Sequence, residues 1–255
     1  MKSILDIPQL GADPKSPFPA SIQALREPNG LLAWGGDLQS ERLLNAYRAG
    51  IFPWYTENQP LLWWSPAPRC VIFPADAHVS KRTRRRYNSS QYTLTADKDF
   101  AGVIQACAED RGDRGGTWIT SGMLDAYSDL HYLGHAHSIE AWQNGQLAGG
   151  IYGLAIGSVF FGESMFTRQT DAGKIALIAL CKQLECWSFG MLDCQLSNPH
   201  LMRMGAVEIS RREFEQRLAE GVSKTRPAGV WTKVFNPAPR WNSGCRDRLR
   251  PISKG

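Results

Sequence analysis

The order of predicted elements places this chain in the α+β class: a mixed β-sheet flanked by helices, preceded by a smaller N-terminal α/β domain. Three observations carry that prediction. From residue 138 onward the patterns alternate as hairpin strands, helix, strand, helix, strand, helix. Asn144-Gly145 stands between two apolar runs, a strong hairpin signal. A length of 255 residues with 43% hydrophobic and 21% charged side chains is enough for a sizeable core.

Bulk properties exclude some classes. No run of ~18 apolar residues exists, so no membrane span is expected, and the N-terminus has no secretory pattern. Six scattered cysteines (70, 107, 181, 186, 194 and 245) form no Cys-x-x-Cys pair. That argues against zinc and for reduced thiols in a cytoplasmic protein. The net charge of +5 is unevenly placed. Lys81, Arg82, Arg84, Arg85 and Arg86 fall within six residues, and the last 34 residues carry eight basic side chains against one acidic. With nine tryptophans, such patches favour a polyanion with unstacked bases.

Residues 1–68 form the predicted small domain. Residues 1–20 are loop-like, and Pro28-Asn29-Gly30 reads as a turn. Ser40 is placed to cap a short helix with Leu43, Leu44 and Tyr47, ended by Gly50. Aromatics then concentrate in proline-containing loops at 51–55 and 61–66. The main domain, 69–225, opens with a strand at Cys70–Phe73, followed by the basic run and a second strand at Tyr92–Thr95. Asp97 is placed to cap a helix bearing Phe100, Val103, Ile104 and Cys107. Met123, Tyr127, Leu130 and Leu133 recur at helical spacing and Gly134 stops them. The Asn144-Gly145 hairpin and a second turn near Gly157 follow. Asp171 is placed to cap a helix bearing Ile175, Ile178, Cys181 and Leu184. Met191–Gln195 is a strand, Asn198-Pro199 starts a helix, Val207–Ile209 is a last strand, and Ser210-x-x-Glu213 is a capping box. Residues 226–255 form a basic, proline-containing tail.

The chemistry concentrates between Gly149 and Gln195. One carboxylate, Glu163, sits inside an apolar run. Asp193 and Gln195, two apart at the end of a short strand, are expected to share a face. His131, His135 and His137 have no acidic or cysteine ligand near them in sequence and a glycine breaks their helix, so no metal site is expected.

The element order is similar to the GNAT superfamily, in which two central strands part and the acyl donor lies between them. Acyl-CoA enzymes of that fold cradle a pyrophosphate with Gln/Arg-x-x-Gly-x-Gly/Ala before the long helix. Arg168-Gln169-Thr170-Asp171-Ala172-Gly173-Lys174 departs from that spacing, and Asp171 would oppose a pyrophosphate, so acyl-CoA is not the expected donor. More specific motifs cover roughly residues 18–220. Glu27-Pro28-Asn29-Gly30-Leu31-Leu32-Ala33, Gly35-Gly36-Asp37-Leu38, Gly50-Ile51-Phe52-Pro53-Trp54 and Trp63-Trp64-Ser65-Pro66 resemble the N-terminal signature of the leucyl/phenylalanyl-tRNA–protein transferases. Thr117-Trp118-Ile119, Gly134-His135-Ala136-His137-Ser138, Phe161-Gly162-Glu163-Ser164-Met165-Phe166 and Asp193-Cys194-Gln195 match the rest in order. Ala67 stands where that family commonly has Asp, and Gly173 where it commonly has Ser.

The resemblance implies transfer of Leu, Phe and, less well, Met from aminoacyl-tRNA to proteins with N-terminal Arg or Lys, in the N-end rule pathway. It implies Asp193, Gln195 and Glu163 as the catalytic set, with Glu163 either receiving the acceptor's cationic side chain or orienting the site. Trp54 and Trp118 match positions that stack on the terminal adenosine. The donor side chain needs an apolar pocket, for which Ile151, Phe160, Met165 and Leu192 are candidates. Lys81, Arg82, Arg84, Arg85 and Arg86 are the candidates for tRNA phosphates. No cofactor, metal or membrane partner is implied, and a monomer is expected. Two rival classes are an aminoacyl-tRNA-dependent cell-wall ligase and a non-catalytic tRNA-binding module.

Overall fold

The structure, a computed structural model, describes residues 7–109, 119–225, 229, 231–237 and 241. The N-terminal part contains β1 (Gln9–Leu10), β2 (Leu31–Gly35), α1 (Ser40–Arg48), β3 (Phe52–Pro53) and β4 (Leu62–Trp64). Next come β5 (Arg69–Ile72), α2 (Lys81–Asn88), β6 (Thr93–Ala96), α3 (Phe100–Ala108), α4 (Ser121–Tyr132), β7 (Ala136–Gln143) and β8 (Gln146–Ile156). The chain continues through β9 (Val159–Thr167), α5 (Ala172–Cys186), β10 (Met191–Gln195), α6 (Pro199–Arg203), β11 (Val207–Ile209) and α7 (Arg211–Val222).

Two sheets result. The small one has the order β1-β2-β4-β3 and the large one β11-β5-β10-β9-β8-β7-β6. In the large sheet only β9 and β10 run parallel. Parallel neighbours need a crossover, and α5 supplies it. Its apolar residues, Ile175, Leu177 and Ile178 among them, cover one face of the sheet against Ile139, Ile151, Phe160 and Leu192. The opposite face meets α3, α4, α1 and α7 through Val103, Tyr127, Tyr47 and Phe214. That second core also takes in Leu32, Ala33 and Trp63 of the small sheet, so one apolar cluster runs through both sheets.

Several local expectations are corrected. The aromatic segments at 51–55 and 61–66 contain strands, not loops alone. Pro53 is tolerated because β3 is an edge strand. Gln39, not Ser40, occupies the first cap position and makes no side-chain cap bond. Asp99, not Asp97, caps α3, accepting from the Gly102 N–H at 2.9 Å. Asp171 stands at the α5 cap in a left-handed conformation without a cap bond, its carboxylate being drawn to Arg86 and Lys174. Leu133 is half exposed, one residue past the end of α4. Ser210 does cap α7 through the Glu213 N–H at 3.2 Å, but the Glu213 carboxylate turns to Arg217. Asn144 (φ 51°) and Gly145 (φ 75°) make the expected turn between β7 and β8.

Asp97 has a tertiary use instead. Its carboxylate meets His137 Nδ1 at 2.9 Å and accepts the backbone N–H of Trp231 at 2.6 Å, while Trp231 stacks on His137 at 4.0 Å. The described tail residues therefore dock on the α5 side. There the Asn236 N–H bonds Gln183, and the Trp241 N–H bonds Asn88 at the end of α2. Cys70, Cys107, Cys181 and Cys194 are thiols, whereas Cys186 is disulfide-bonded, against the expectation of reduced cysteines throughout.

Close approach of β8 to the start of α5 sets the position of that helix. A Cβ at Gly149 would lie 2.6 Å from the Gly173 nitrogen and 2.7 Å from Ala172 Cβ. Gly149→Val should therefore push α5 off the sheet and cost about 1–3 kcal/mol, a fall of roughly 3–10 °C in Tm for a domain of this size. Gly190→Ala, where a Cβ meets nothing within 4 Å, is the control and should leave Tm unchanged. Thermal unfolding of the two variants checks the argument.

Candidate active site

The site lies where the two parallel strands part. Pairing of β9 with β10 ends at Phe161 and Asp193. Beyond that point β9 runs on to Thr167, paired only with β8, while β10 stops at Gln195. Each strand carries an irregularity at the fork. On β9, Gly162 pairs with Gly153 and Ser164 with Tyr152, leaving Glu163 as an extra, bulged residue. On β10 the register shifts between Asp193 and Gln195, and Gln195 has a φ of 56°. The strand alternation on which the expected shared face of Asp193 and Gln195 was based is therefore interrupted between them.

Asp193 is fully buried. Its Oδ1 accepts from Arg69 Nε at 2.9 Å and its Oδ2 from Arg69 Nη2 at 2.8 Å, a planar two-point pair. Oδ1 also accepts the backbone N–H of Gln195 at 3.0 Å. Asp193 thus grips the Gln195 main chain rather than its side-chain amide. The Arg69 guanidinium lies between two rings, 4.9 Å from the centroid of Phe52 and 4.5 Å from that of Phe214.

Glu163 faces a cluster of tyrosines. The Tyr127 hydroxyl donates to its Oε2 at 3.1 Å, and Tyr127 shares a short hydrogen bond with Tyr47. Tyr152 stands edge-on to Tyr127 at 5.7 Å. Burial pushes the Glu163 carboxyl up to about 7, and the nearby Asp193 charge adds to the shift; bonds from Tyr47 and Tyr127, with the Arg69 charge, pull the other way. Burial and then Glu163 hold the Tyr47 and Tyr127 hydroxyls well above their ordinary range. Four buried polar atoms at this fork have no hydrogen-bond partner among the described residues: Glu163 Oε1, Gln195 Nε2, Arg69 Nη1 and the Tyr152 hydroxyl.

Residues 71–219 match the leucyl/phenylalanyl-tRNA protein transferase family and residues 36–67 match that family's N-terminal domain. The chain is 57% identical over 202 residues to the leucyl/phenylalanyl-tRNA–protein transferase of Stutzerimonas stutzeri, covering 79% of this chain and 89% of the relative. It is 51% identical over 220 residues to that of Alkalilimnicola ehrlichii, covering 86% and 85%. The chain belongs to the leucyl/phenylalanyl-tRNA protein transferase family. A solved structure similar to the transferase is L-PGS from Bacillus licheniformis, at 11% identity and a TM-score of 0.36 over 66% of this chain and 54% of that one.

The other sequence-predicted residues of the transferase distribute as follows. Ile151 pairs with Met165, and Leu192 with Phe160, on the α5 face of the sheet, opposite to the face carrying the tyrosines. Ile151, Phe160 and Leu192 are core residues, while half-buried Met165 borders a cavity of about 410 Å³ at the free edge of β9. Trp54 follows edge strand β3, is 39% exposed and stands edge-on to Trp64 at 5.4 Å. Trp118 lies outside the described residues. The basic run is helix α2, with Lys81, Arg82 and Arg85 exposed. Arg84 and Arg86 are half-buried, and Arg86 is tied to Asp171 at 3.4 Å and to the Thr170 carbonyl. His131 Nδ1 bonds the Ala136 carbonyl, and among the described residues no His/Cys/Asp/Glu group is placed to hold a metal ion.

Arg69, Tyr47 and Tyr127 are the site neighbours that sequence reasoning did not single out. Arg69 had a usable signal, a cation at the head of an otherwise apolar strand, which calls for a buried acid. The tyrosines read as ordinary members of helical stripes.

Glu163 makes stability depend on pH. Its folded-state value of about 7 lies above its ordinary 4.5, so the native state holds a proton that the unfolded chain releases. The contribution is fully present below about 4.5 and is lost as pH rises through about 7. Glu163→Gln removes the loss, so its Tm should exceed that of the wild type by more at pH 8 than at pH 5, an effect of roughly 1–3 kcal/mol. An equal gap at both pH values would overturn the assignment.

Proposed function

We propose that the chain transfers Leu, Phe and, less readily, Met from aminoacyl-tRNA to the N-terminal Arg or Lys of acceptor proteins, as a cytoplasmic monomer of the N-end rule pathway without metal or cofactor. The observation that carries this reading is the pair of buried, unpartnered polar atoms, Glu163 Oε1 and Gln195 Nε2, on the two strands that part. Such atoms are costly unless a ligand satisfies them.

The reaction is aminolysis of an ester. The acceptor's α-amine attacks the carbonyl carbon, the bond to the tRNA 3′ oxygen breaks, and one amine proton ends on that oxygen. An ester is already activated, so holding the two reactants in line can supply much of the acceleration. Gln195, fixed through its main chain by Asp193, presents its side-chain amide at the fork: the oxygen accepts from the attacking amine, and Nε2 donates to the ester. A neutral amide is a poor base, and the Asp193 oxygens are already occupied by Arg69 and Gln195. The tRNA 2′-OH is then the shorter path for the proton. Glu163 receives the acceptor's cation at Oε1, which favours its charged form, while Tyr127, itself bonded to Tyr47, holds the other oxygen.

Trp54 and Trp118 stack on the terminal adenosine, as an unpaired base requires. Met165, backed by Ile151, Phe160 and Leu192, forms the donor side-chain pocket; a flexible thioether wall accommodates Leu, Phe and Met alike. Lys81, Arg82 and Arg85, the exposed part of the Lys81–Arg86 run, meet acceptor-stem phosphates; Arg84 and Arg86 support that helix from its half-buried side.

Radiolabelled Leu-tRNA offered with two peptides differing only in an N-terminal Arg or Ala tests the reading. Label should move to the Arg peptide alone. Label that stays on bound tRNA in both tubes makes this a binding module. Binding titrations test the phosphate surface separately: reversing Lys81, Arg82 and Arg85 to Glu should weaken all tRNAs alike and lower the slope of log K against log salt by roughly one for each phosphate no longer neutralised. An unchanged slope moves the phosphates elsewhere.

A further inference from the structure

We propose that Arg69 is a positioning residue for the transfer reaction: by gripping Asp193 at two points, it fixes the β10 bulge and so the direction of the Gln195 amide. The inference rests on the aminoacyl-transfer reading above and adds to it a group that touches neither substrate.

The chain of contacts is continuous. Arg69 is almost fully buried at the head of β5, next to β10 in the sheet. Its guanidinium plane is held by Phe52 on one strand of the small sheet and by Phe214 on α7. Two of its nitrogens bond the two Asp193 oxygens, and Oδ1 of that carboxylate holds the Gln195 N–H. Gln195 is a non-glycine residue in the left-handed region, which costs energy and persists only where neighbours enforce it. The Asp193 carboxylate is the neighbour that bonds that very N–H. Releasing Asp193 lets the residue relax towards an extended conformation, and the side-chain amide leaves the fork. A lysine cannot substitute, because an ammonium lacks the planar fork that meets both carboxylate oxygens at once.

Arg69 also acts on Glu163 at a distance. The groups facing Glu163 are Tyr47 from α1, Tyr127 from α4, Tyr152 from β8, Asp193 from β10 and Arg69 from β5. Of the two charges, Arg69 favours the Glu163 carboxylate and Asp193 disfavours it. Removing Arg69 alone leaves the two acids facing each other uncompensated, so Glu163 should titrate at higher pH. Removing both charges should bring it back.

The test is steady-state transfer from Leu-tRNA to an Arg-initiated peptide by the full chain, with wild type, Arg69→Met, Asp193→Asn and the double variant. Arg69→Met should lower kcat about 100-fold, the loss that a small misplacement produces, with KM for Leu-tRNA within about twofold, since the proposed tRNA surfaces lie elsewhere. In the Asp193→Asn background the same substitution should cost less than about threefold, because both changes cut one chain of contacts. The midpoint of the pH dependence of kcat/KM should rise in Arg69→Met and return towards that of the wild type in the double variant. Losses that multiply independently, or a midpoint that does not move, would overturn the proposal. Should Arg69→Met not fold, Arg69→Lys decides: reduced kcat with unchanged KM and a folded protein supports it, and wild-type kcat sinks it. A wild type that transfers nothing to the peptide indicts the functional reading instead.

Discussion

The buried ion pair between Arg69 and Asp193 is the constraint on which the rest of the site depends. Taking two charges out of water is expensive, and the mutual attraction offsets it only where geometry is good and the remaining polar atoms are satisfied. Here the guanidinium meets the carboxylate edge-on with two bonds and is faced by two aromatic rings. Removing one partner of such a pair typically costs about 3–5 kcal/mol, because the other charge is left stranded. Phe52 belongs to the small sheet, Arg69 and Asp193 to the large one, and Phe214 to α7. One interaction therefore fastens three parts of the chain to the point where β9 and β10 separate.

The residues that carry the proposed chemistry sit where regular structure is interrupted. Glu163 is the extra residue of a bulge, and Gln195 ends its strand with a positive φ. A regular ladder would have satisfied both backbones and pointed their side chains alternately into two cores. The interruptions turn polar groups towards the gap between the two strands. Glu163 is held there against its preference for water, since burial raises its carboxyl to about 7, and the tyrosine hydroxyls offset only part of that. This is stability given up at a site that a ligand can complete.

Most of the fold was legible from pattern and punctuation. The Asn144-Gly145 hairpin, the long apolar helix at 172–186, the Asn198-Pro199 helix start and the Ser210 cap each have local causes, and each stands where local chemistry puts it. What was not legible depends on distant partners. Asp97 and Asp171 both look like helix caps, but Asp97 is claimed by His137 and the Trp231 N–H, and the Asp171 carboxylate, at its cap position, is drawn off by distant Arg86 as well as by Lys174 in its own first turn. At the site, motif resemblance pointed to Asp193, Gln195 and Glu163, while the irregularity that interrupts strand periodicity between the first two leaves no mark in residue spacing. Arg69 is 124 positions from Asp193: a cation heading an apolar strand calls for a buried acid, but nothing local says which one.

The same trade explains the loop before α5. Here Asp171 occupies the cap position, and its carboxylate is bound by Arg86 and Lys174, so a second anion would meet both an acid and cations already engaged. Arg86 also donates to the Thr170 carbonyl, and the Tyr92 hydroxyl donates to that same oxygen. The loop is therefore fastened to the basic helix α2 instead of opening towards a diphosphate. On the proposed reading, this loop fixes the helix whose outer face carries Lys81, Arg82 and Arg85. A donor attached to a long polyanion can be held by charges far from the reacting ester. The fork between β9 and β10 is then free to be lined by an amide, a carboxyl group and tyrosines, groups that orient an amine and would do little for a phosphate.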